Sequence, residues 1–388
     1  MVSIVEPSTG SGSSIELLSN VLDAMRILRD YILKDFFHSF LLSIVVFTFA
    51  FLIGNIIQIA NLVINKGVNI ISVLKLLFFM IPWLLSFTFP MASLTSVILT
   101  FGRLSNDGEF TAMKASGISL YRAAFPILML GGIISSTTFI LNDQISSNAS
   151  YASRKVIKEI GLRSPAAYLE AGTFIRGFEN YVIFIYDVKG NKFKNIRIYQ
   201  PQEGKPTRTI IAESGEINTF PDKNQMELKL FNGTSEEPSP TDPENFYKLN
   251  FRTYYMTIDL SKILKQEKID KKVREMTMRE LRDEISKYAA QKIDPMPLLV
   301  EAYKKINMSI ASFVLILVGI PLGIRAHRIE KSIGFGISLI LFAIYWGLFL
   351  AGIAISLRGA APPLIGVSLA NIVFFVFGII SFIFTARR

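Results

Sequence analysis

Few residues in this sequence could carry out catalysis or hold a metal ion. Cysteine is absent, so no disulfide, thiolate nucleophile or cysteine-based metal site is available. The two histidines, His38 and His327, stand far apart in unrelated contexts, which argues against a histidine-based centre. The carboxylate pairs Glu236-Glu237 and Asp283-Glu284 lie in polar segments that are typical of a solvated surface. We therefore expect no catalytic, cofactor-binding or metal site.

The sequence also lacks a nucleotide-binding motif. The phosphate-binding pattern G-x-x-x-x-G-K-[ST] is missing, because the Gly-Lys pair at 204–205 is followed by Pro206. No glycine-rich dinucleotide motif follows a predicted strand. An energy-consuming process would therefore need ATP hydrolysis by a separate protein.

The composition indicates a membrane protein. Hydrophobic residues make up 51% of the 388 positions and charged residues only 19%. The net charge of +10 could indicate nucleic-acid binding, but the basic residues are scattered or flank apolar runs. That pattern favours contact with anionic lipid, and we expect no nucleic-acid partner.

Six apolar runs are long enough to cross a bilayer, which takes about 20 helical residues. They cover approximately residues 36–64, 70–101, 123–141, 306–324, 333–357 and 364–384. Pro82 and Pro90 interrupt the second run and predict a kink there. The spans fall into two groups of three, separated by a long polar insert.

Basic residues near the span ends predict the orientation. With a cytoplasmic N-terminus, the short outer loops hold only Lys66 and Arg358. The cytoplasmic flanks then hold Arg26, Arg29, Lys34, Arg103, Lys114, Arg122, Arg325, Arg328, Lys331, Arg387 and Arg388. Both termini are therefore expected in the cytoplasm and the insert outside.

The insert predicts an all-β domain between two helical segments. Short β-rich runs occupy residues 172–176, 181–188, 193–199, 209–214, 226–234 and 246–260, with a hairpin signal at Lys189-Gly190-Asn191. Such a series is typical of an antiparallel sandwich or jelly-roll-like domain. Thr277 and Glu280 form a capping-box pattern, which predicts a helix ending near Gln291.

The polar stretch between the second and third spans predicts a short helix over residues 107–116. Asn106 and Glu109 form a capping-box pattern, and Gly117 suits the position after the helix end. A helix of about 15 Å is too short to cross a bilayer and would lie at its surface. Phe110 and Met113 share one side and could present an apolar knob to an energy-supplying protein. Glu109 has two possible roles, capping the helix or binding that partner.

The outer half of the first span carries a polar stripe. Asn55, Gln58, Asn61 and Asn65 fall within about 120° of one another on a helix. These side chains could bond between helices, or they could line a path for an amphiphile with a polar head. Lys66 and Lys75 could meet an anionic head group such as phosphate, or they could extend to the membrane interface.

Several phrases together resemble the LptF/LptG family of lipopolysaccharide-export permeases, from about Ile27 to Arg388. They are RDYILKDFF, FGRLSNDGEFTAMKASGIS, GTFI, AESGEI, LKLFNGT, the pattern E-x-Y-K-K, LVGIPLGIRAHR and PPLIG. The resemblance implies six transmembrane helices and an inserted periplasmic β-jelly-roll-like domain in the bacterial inner membrane. The corresponding segments are a cytoplasmic 1–35, helices 1–3 within 36–141, the β domain at 142–300 and helices 4–6 within 301–388.

The resemblance also implies a function and partners. Family members extract lipopolysaccharide and pass it to a periplasmic bridge, with an LptB-like cytoplasmic ABC ATPase, a sister LptF/LptG-like permease and an LptC-like single-span protein. ATP is used by the partner and not by the permease.

The resemblance also implies roles for particular residues. In the family the loop between spans two and three is a coupling helix that docks on the ATPase, and an acidic residue matching Glu109 contributes to this docking. Basic residues near the outer end of the first span contact lipid A phosphates in one subunit type, and Lys66 lies in that region. The candidate coupling residues are Arg103, Glu109, Phe110, Met113, Lys114 and Gly117, and the lipid-path candidates are Asn55, Gln58, Asn61, Lys66 and Lys75.

Two other functions stay open at this point. A non-transporting scaffold could link a cytoplasmic ATPase to a periplasmic partner, and that class usually has fewer spans. An ion-driven transporter would need carboxylates inside the membrane, and the six predicted spans contain no Asp or Glu. Whether the chain is LptF-like or LptG-like also stays open.

Overall fold

The computed structural model describes residues 11–64, 68–163, 174–178, 181–189, 192–202, 205–220, 225–238, 246–259, 271–325 and 331–387. The chain divides into two compact units. The helical unit contains residues 1–50, 82–148 and 273–388, and the β-containing unit contains residues 51–81 and 149–272. Residues 142–148 and 273–300, which were expected in the inserted domain, thus belong to the helical unit.

Nine α-helices are present in the part of the chain that the structure describes. They are α1 (Ser11–Ile64), α2 (Ile70–Asn106), α3 (Glu109–Ala115), α4 (Leu120–Ile140), α5 (Ser147–Arg163), α6 (Met278–Ala290), α7 (Met296–Arg325), α8 (Lys331–Leu357) and α9 (Pro363–Arg387). Six helical segments are long and apolar enough to cross a membrane: Arg26–Asn55, Ile70–Asn106, Leu120–Lys158, Met296–Arg325, Ile333–Leu357 and Pro363–Arg387. The six predicted spans are confirmed, and the chain is a multi-pass membrane protein.

Two details of the first two spans differ from the sequence expectation or extend it. Helix α1 already begins at Ser11, well before the first predicted span, which begins at residue 36. Helix α2 continues through Pro82 and Pro90, and Ser86 donates a hydrogen bond to the Pro82 carbonyl at 3.1 Å. The kink at these prolines stays a prediction.

Helix α7 is the centre of the helical unit. The apolar segment of α7 is 78% buried, whereas those of the other spans are 22–39% buried. Small residues allow this close packing. A Cβ added at Gly319 would come within 2.1 Å of the Val97 side chain on α2. The remaining spans leave apolar faces available for lipid or for another membrane protein.

The third span is longer than predicted because it does not stop at Leu141. Helix α4 continues into a π-helix, Leu141–Ser146, and then directly into α5. A π-helical turn is rare, and it is found mostly as a single turn inserted in an α-helix at functional sites. Asn142, Ser146 and Ser147 are buried at this turn, although they are polar.

The β-containing unit has one antiparallel sheet with six strands in sequence order, β1 (Phe174–Phe178), β2 (Tyr181–Lys189), β3 (Lys192–Gln202), β4 (Lys205–Phe220), β5 (Gln225–Pro238) and β6 (Phe246–Asp259). All six predicted β-rich runs correspond to strands. Lys189 pairs with Lys192, which confirms the hairpin. The described strands form a meander, so the inserted β domain is confirmed without the Greek-key crossover of a jelly roll.

Two asparagines interrupt the regular alternation of buried and exposed side chains in the sheet. Asn195 and Asn232 have left-handed backbone angles, with φ of 51° and 48°, which asparagine tolerates better than most residues. In β3 the buried side chains switch from Phe193 to Ile196 and Ile198 across Asn195. This change of parity keeps apolar side chains on the inner face of the sheet both before and after Asn195. That face is filled by its own side chains, from Ile183, Ile185, Phe193, Ile196, Ile198, Ile210, Ala212, Ile217, Met226, Leu228, Leu230 and Met256.

Candidate coupling site and lipid path

The predicted surface helix exists as α3, but its start differs from the prediction. It spans Glu109–Ala115, and its N-cap residue is Gly108, with a φ of 72° and no side-chain cap. The predicted capping box of Asn106 and Glu109 is wrong, because Asn106 is the last residue of α2. The left-handed turn at Gly108 separates the two helices, which leaves the Glu109 carboxylate available for other contacts.

The end of α3 agrees with the prediction for Gly117. This residue has a φ of 81° and follows the C-cap Ser116. The Ile118 N–H donates to the Met113 carbonyl at 2.9 Å, and the Gly117 N–H donates to the Lys114 carbonyl at 3.0 Å. This pair of hydrogen bonds is the Schellman motif. The turn into α4 is therefore fixed by the backbone.

Glu109 belongs to a polar network that we call the coupling cluster: Tyr31, Asp35, Arg103, Asp107 and Glu109. The guanidinium of Arg103 lies 3.3 Å from Asp35, 3.4 Å from Asp107 and 3.3 Å from Glu109. Tyr31 donates its hydroxyl proton to Glu109 at 3.0 Å and accepts a hydrogen bond from Arg103 at 3.0 Å. The cluster joins α1, α2 and α3, so Arg103 does more than mark topology.

The coupling cluster is open to solvent. The exposed fractions of its side chains are 26% for Arg103, 33% for Glu109 and 47% for Asp107. Three carboxylates share one guanidinium, so replacing one of these contacts by a contact with another protein would leave Arg103 paired. The site can therefore exchange partners at low cost.

The expected apolar knob on α3 is wrong. Phe110 is only 7% exposed and belongs to the core of the helical unit, and Met113 packs against the same core. Both side chains attach α3 to its own bundle, because a surface helix must bury its apolar stripe. The outward side of α3 presents the small residues Thr111, Ala112 and Ala115, and Lys114 is half-buried.

The lipid-path candidates are only partly within the described residues. Asn55 donates its amide proton to the Phe51 carbonyl at 2.8 Å, a bond within its own helix. Lys75 is exposed on α2. Gln58 and Asn61 lie on α1, but their side chains are outside the described residues, as are Asn65 and Lys66 as a whole. The lipid path along these residues therefore stays a prediction.

The sequence analysis missed a second polar group, which we call the junction cluster: Asp143, Ser147, Met276 and Lys305. The Lys305 ammonium donates to the Ser147 hydroxyl at 2.6 Å and to the Met276 carbonyl, and it lies 3.5 Å from the Asp143 carboxylate. Lys305 is buried. A sequence signal existed, because Asp143 follows the predicted end of the third span by two positions and Lys305 precedes the fourth by one.

Comparisons with known proteins agree with this architecture. The family profile described as lipopolysaccharide export system permease LptF/LptG matches residues 30–384. The lipopolysaccharide export system permease proteins LptF of Escherichia coli K12 and of Shigella flexneri are each 24% identical to this chain over 213 residues. Those matches cover 53% of this chain and 57% of each relative, so they span little more than half of the relatives' length. The extent of the family match shows that this chain belongs to the LptF/LptG family of lipopolysaccharide export system permeases.

Proposed function

We propose that this chain is a permease subunit of an ABC-type transporter that extracts lipopolysaccharide from the inner membrane. It passes the lipid to a periplasmic bridge for export to the outer membrane. The observation that carries this proposal is the family match over residues 30–384. Six apolar helices and a sheet inserted in the sequence between the third and the fourth of them support it, since a lipid extractor needs both a membrane part and a water-exposed part.

The orientation follows from the basic flanks of the spans. Both termini and α3 lie in the cytoplasm, and the sheet lies in the periplasm. An LptB-like ATPase then meets α3 from the cytoplasmic side. ATP is hydrolysed by that partner, and this chain binds no cofactor of its own.

The coupling cluster supports a mechanical role for α3. Phe110 anchors the helix in the core of the helical unit, and the Schellman motif fixes its end. A push on the exposed side of α3 therefore moves α2 and α4 with it. The partner protein competes with Arg103 for the Glu109 carboxylate, whose side chain is one-third exposed.

The inserted sheet protects acyl chains from water during transfer. Each exposed methylene costs about 0.8 kcal/mol, so several long chains cannot cross an aqueous gap unprotected. The inner face of the sheet is apolar and in this structure is filled by its own side chains. Acyl chains therefore enter when strands move apart and replace those contacts. Asn55 and Lys75, together with Gln58, Asn61 and Lys66, are the candidates for guiding the polar head.

Apolar side chains on the outer faces of the spans support assembly with a second membrane subunit. Helix α1 exposes Leu42, Val45 and Phe49, each about half or more exposed. We assign this surface to lipid, to a sister LptF/LptG-like permease and to an LptC-like single-span protein. The cavity for lipopolysaccharide forms between the two permeases.

Affinity purification of the full chain in mild detergent tests the proposal. Mass spectrometry should identify an ABC ATPase, a second permease and lipopolysaccharide. The variant Glu109→Lys should lose the ATPase, because a lysine there repels Arg103 and offers no carboxylate. Asp283→Lys, which makes the same charge change at an exposed position of α6, should keep the ATPase.

The outcomes separate this function from the scaffold alternative. An ATPase that co-purifies without lipid or sister permease would favour a scaffold, although six spans are more than that class usually has. An intact complex with Glu109→Lys would rule out the coupling role of Glu109. Lipid release without any nucleotide-hydrolysing partner would overturn the proposal.

A further inference from the structure

We propose that Lys305 is a positioning residue that holds onto α7 the two chain connections at the ends of residues 149–272, the segment that contains the sheet. The chain passes from the helical unit to the β-containing unit after Asn148 and comes back at Val273. Asp143 and Ser147 lie just before the first connection, and Met276 lies just after the second. All three contact the same ammonium group.

The contacts match the chemistry of a lysine closely. An ammonium group has three protons to donate and no acceptor. Here three acceptors surround it, namely the Ser147 hydroxyl, the Met276 carbonyl and the Asp143 carboxylate. A buried charge is tolerated only when it is paired and hydrogen-bonded. Lys305 is 6% exposed and Asp143 14%, so water contributes little to either group.

Asp143 also connects the two chain segments directly. Its Oδ1 atom accepts a hydrogen bond of 2.5 Å from the backbone N–H of Met278, the first residue of α6. The Ser147 hydroxyl lies 3.3 Å from the Met276 carbonyl. The segment before the first connection and the segment after the second are therefore joined to each other as well as to α7.

Two local features present these groups to Lys305. The π-helix Leu141–Ser146 changes the residue count per turn, so Asp143 and Ser147 take angular positions that a regular helix would not give them. On the other side, the capping box of Thr277 and Glu280 fixes the start of α6. Leu281, on the first turn of α6, is fully buried. We infer that docking of α6 depends on Lys305.

The functional consequence rests on the proposed function. Helix α7 packs against α4, which follows the coupling helix, so movement of α4 reaches the junction cluster through rigid helices. Lys305 then carries that movement to the segments that enter and leave the sheet. Without Lys305, ATP hydrolysis would continue while lipid delivery falls.

Thiol labelling tests the positioning role without any transport assay. The chain has no cysteine, so Leu281→Cys introduces a single thiol. In purified full-length protein this thiol should react slowly with a soluble maleimide. Adding Lys305→Met should raise the labelling rate by about tenfold. Without the three contacts of the ammonium group, the start of α6 is held less firmly and α6 opens more often. Asp143→Asn should raise it less, since the amide oxygen can still accept from Met278.

Lys304→Met is the matched control. Lys304 is the neighbouring lysine, and it contacts Glu301 on its own helix at 3.2 Å. Its substitution should leave labelling of Leu281→Cys unchanged. The proposal would be overturned if Lys304→Met and Lys305→Met gave the same labelling rate, whether both raised it or both left it unchanged. If Lys305→Met does not fold, unchanged labelling with Asp143→Asn decides against it.

A second measurement links the residue to transport. In proteoliposomes with the co-purified ATPase and lipopolysaccharide, Lys305→Met should keep ATP hydrolysis and lose lipid release by about tenfold. Normal lipid release together with increased labelling would limit Lys305 to local structure and overturn its transport role. Failure of the proposed function looks different, because no ATPase or lipid would co-purify even with the unmodified chain.

Discussion

The coupling cluster and the junction cluster join helices in opposite ways. In the first, one guanidinium serves three carboxylates and a tyrosine, and the side chains are a quarter to a half exposed. In the second, one ammonium contacts three acceptors, and the side chains of its ion pair are largely shielded from solvent. The first arrangement has three carboxylates for a single positive charge, whereas the second has one acceptor for each ammonium proton.

Because of this difference, the coupling cluster can exchange one of its contacts for a contact with another protein, whereas the junction cluster cannot. Exposed ion pairs contribute little to stability, so the coupling cluster can give a carboxylate to another protein at low cost. Removing one partner of a buried pair is expensive, because the other charge remains without compensation. We therefore expect substitutions in the two clusters to affect different properties.

The largest effect on stability in the coupling region should come from an apolar side chain. Phe110→Ala should lower the free energy of unfolding by about 3–5 kcal/mol, because it leaves a cavity in the core beneath α3. Thermal unfolding in detergent measures this. Thr111→Ala, on the exposed side of the same helix, is the control. A small effect for Phe110→Ala would mean that charges, and not packing, hold α3.

The buried ammonium should come next. Lys305→Met should cost about 3 kcal/mol of unfolding free energy, since it leaves the Asp143 carboxylate buried without its cation. Comparison with Lys304→Met in the same unfolding assay isolates the effect of burial. Similar stability for the two variants would contradict the contrast between the clusters.

The smallest effect on stability should come from Glu109→Gln. Because Arg103 keeps Asp35 and Asp107, the loss should be about 0.5 kcal/mol or less. The same variant should weaken retention of the ATPase during purification, since the charge offered to the partner is gone. A large loss of stability with normal ATPase retention would reverse the roles assigned to the two clusters.

Much of the architecture could be predicted because it depends on local patterns. The six spans follow from apolar length, and the six strands follow from β-rich runs bounded by turn residues. Thr277 and Glu280 form the predicted capping box, and Gly117 takes the predicted left-handed angle. In each case the deciding interactions lie within a few residues of one another.

The site could be predicted less well because its contacts join distant parts of the chain. Lys305 and Ser147 are 158 positions apart, and no local pattern pairs them. The spacing of Phe110 and Met113 predicts that they share one side of α3, but it does not tell whether that side faces the solvent or the core. In the structure both side chains pack against the core of the helical unit. Asn106 and Glu109 match a capping box by type and spacing, yet the turn at Gly108 ends one helix between them and starts the next.

The central position of α7 has a consequence for biogenesis. The six described strands pair only with their neighbours in sequence, so the sheet can complete its hydrogen bonding soon after β6 is synthesised. The first three membrane helices must wait longer, because their most buried neighbour is made only after the whole sheet. During that interval the nascent protein has a finished domain and an unfinished bundle.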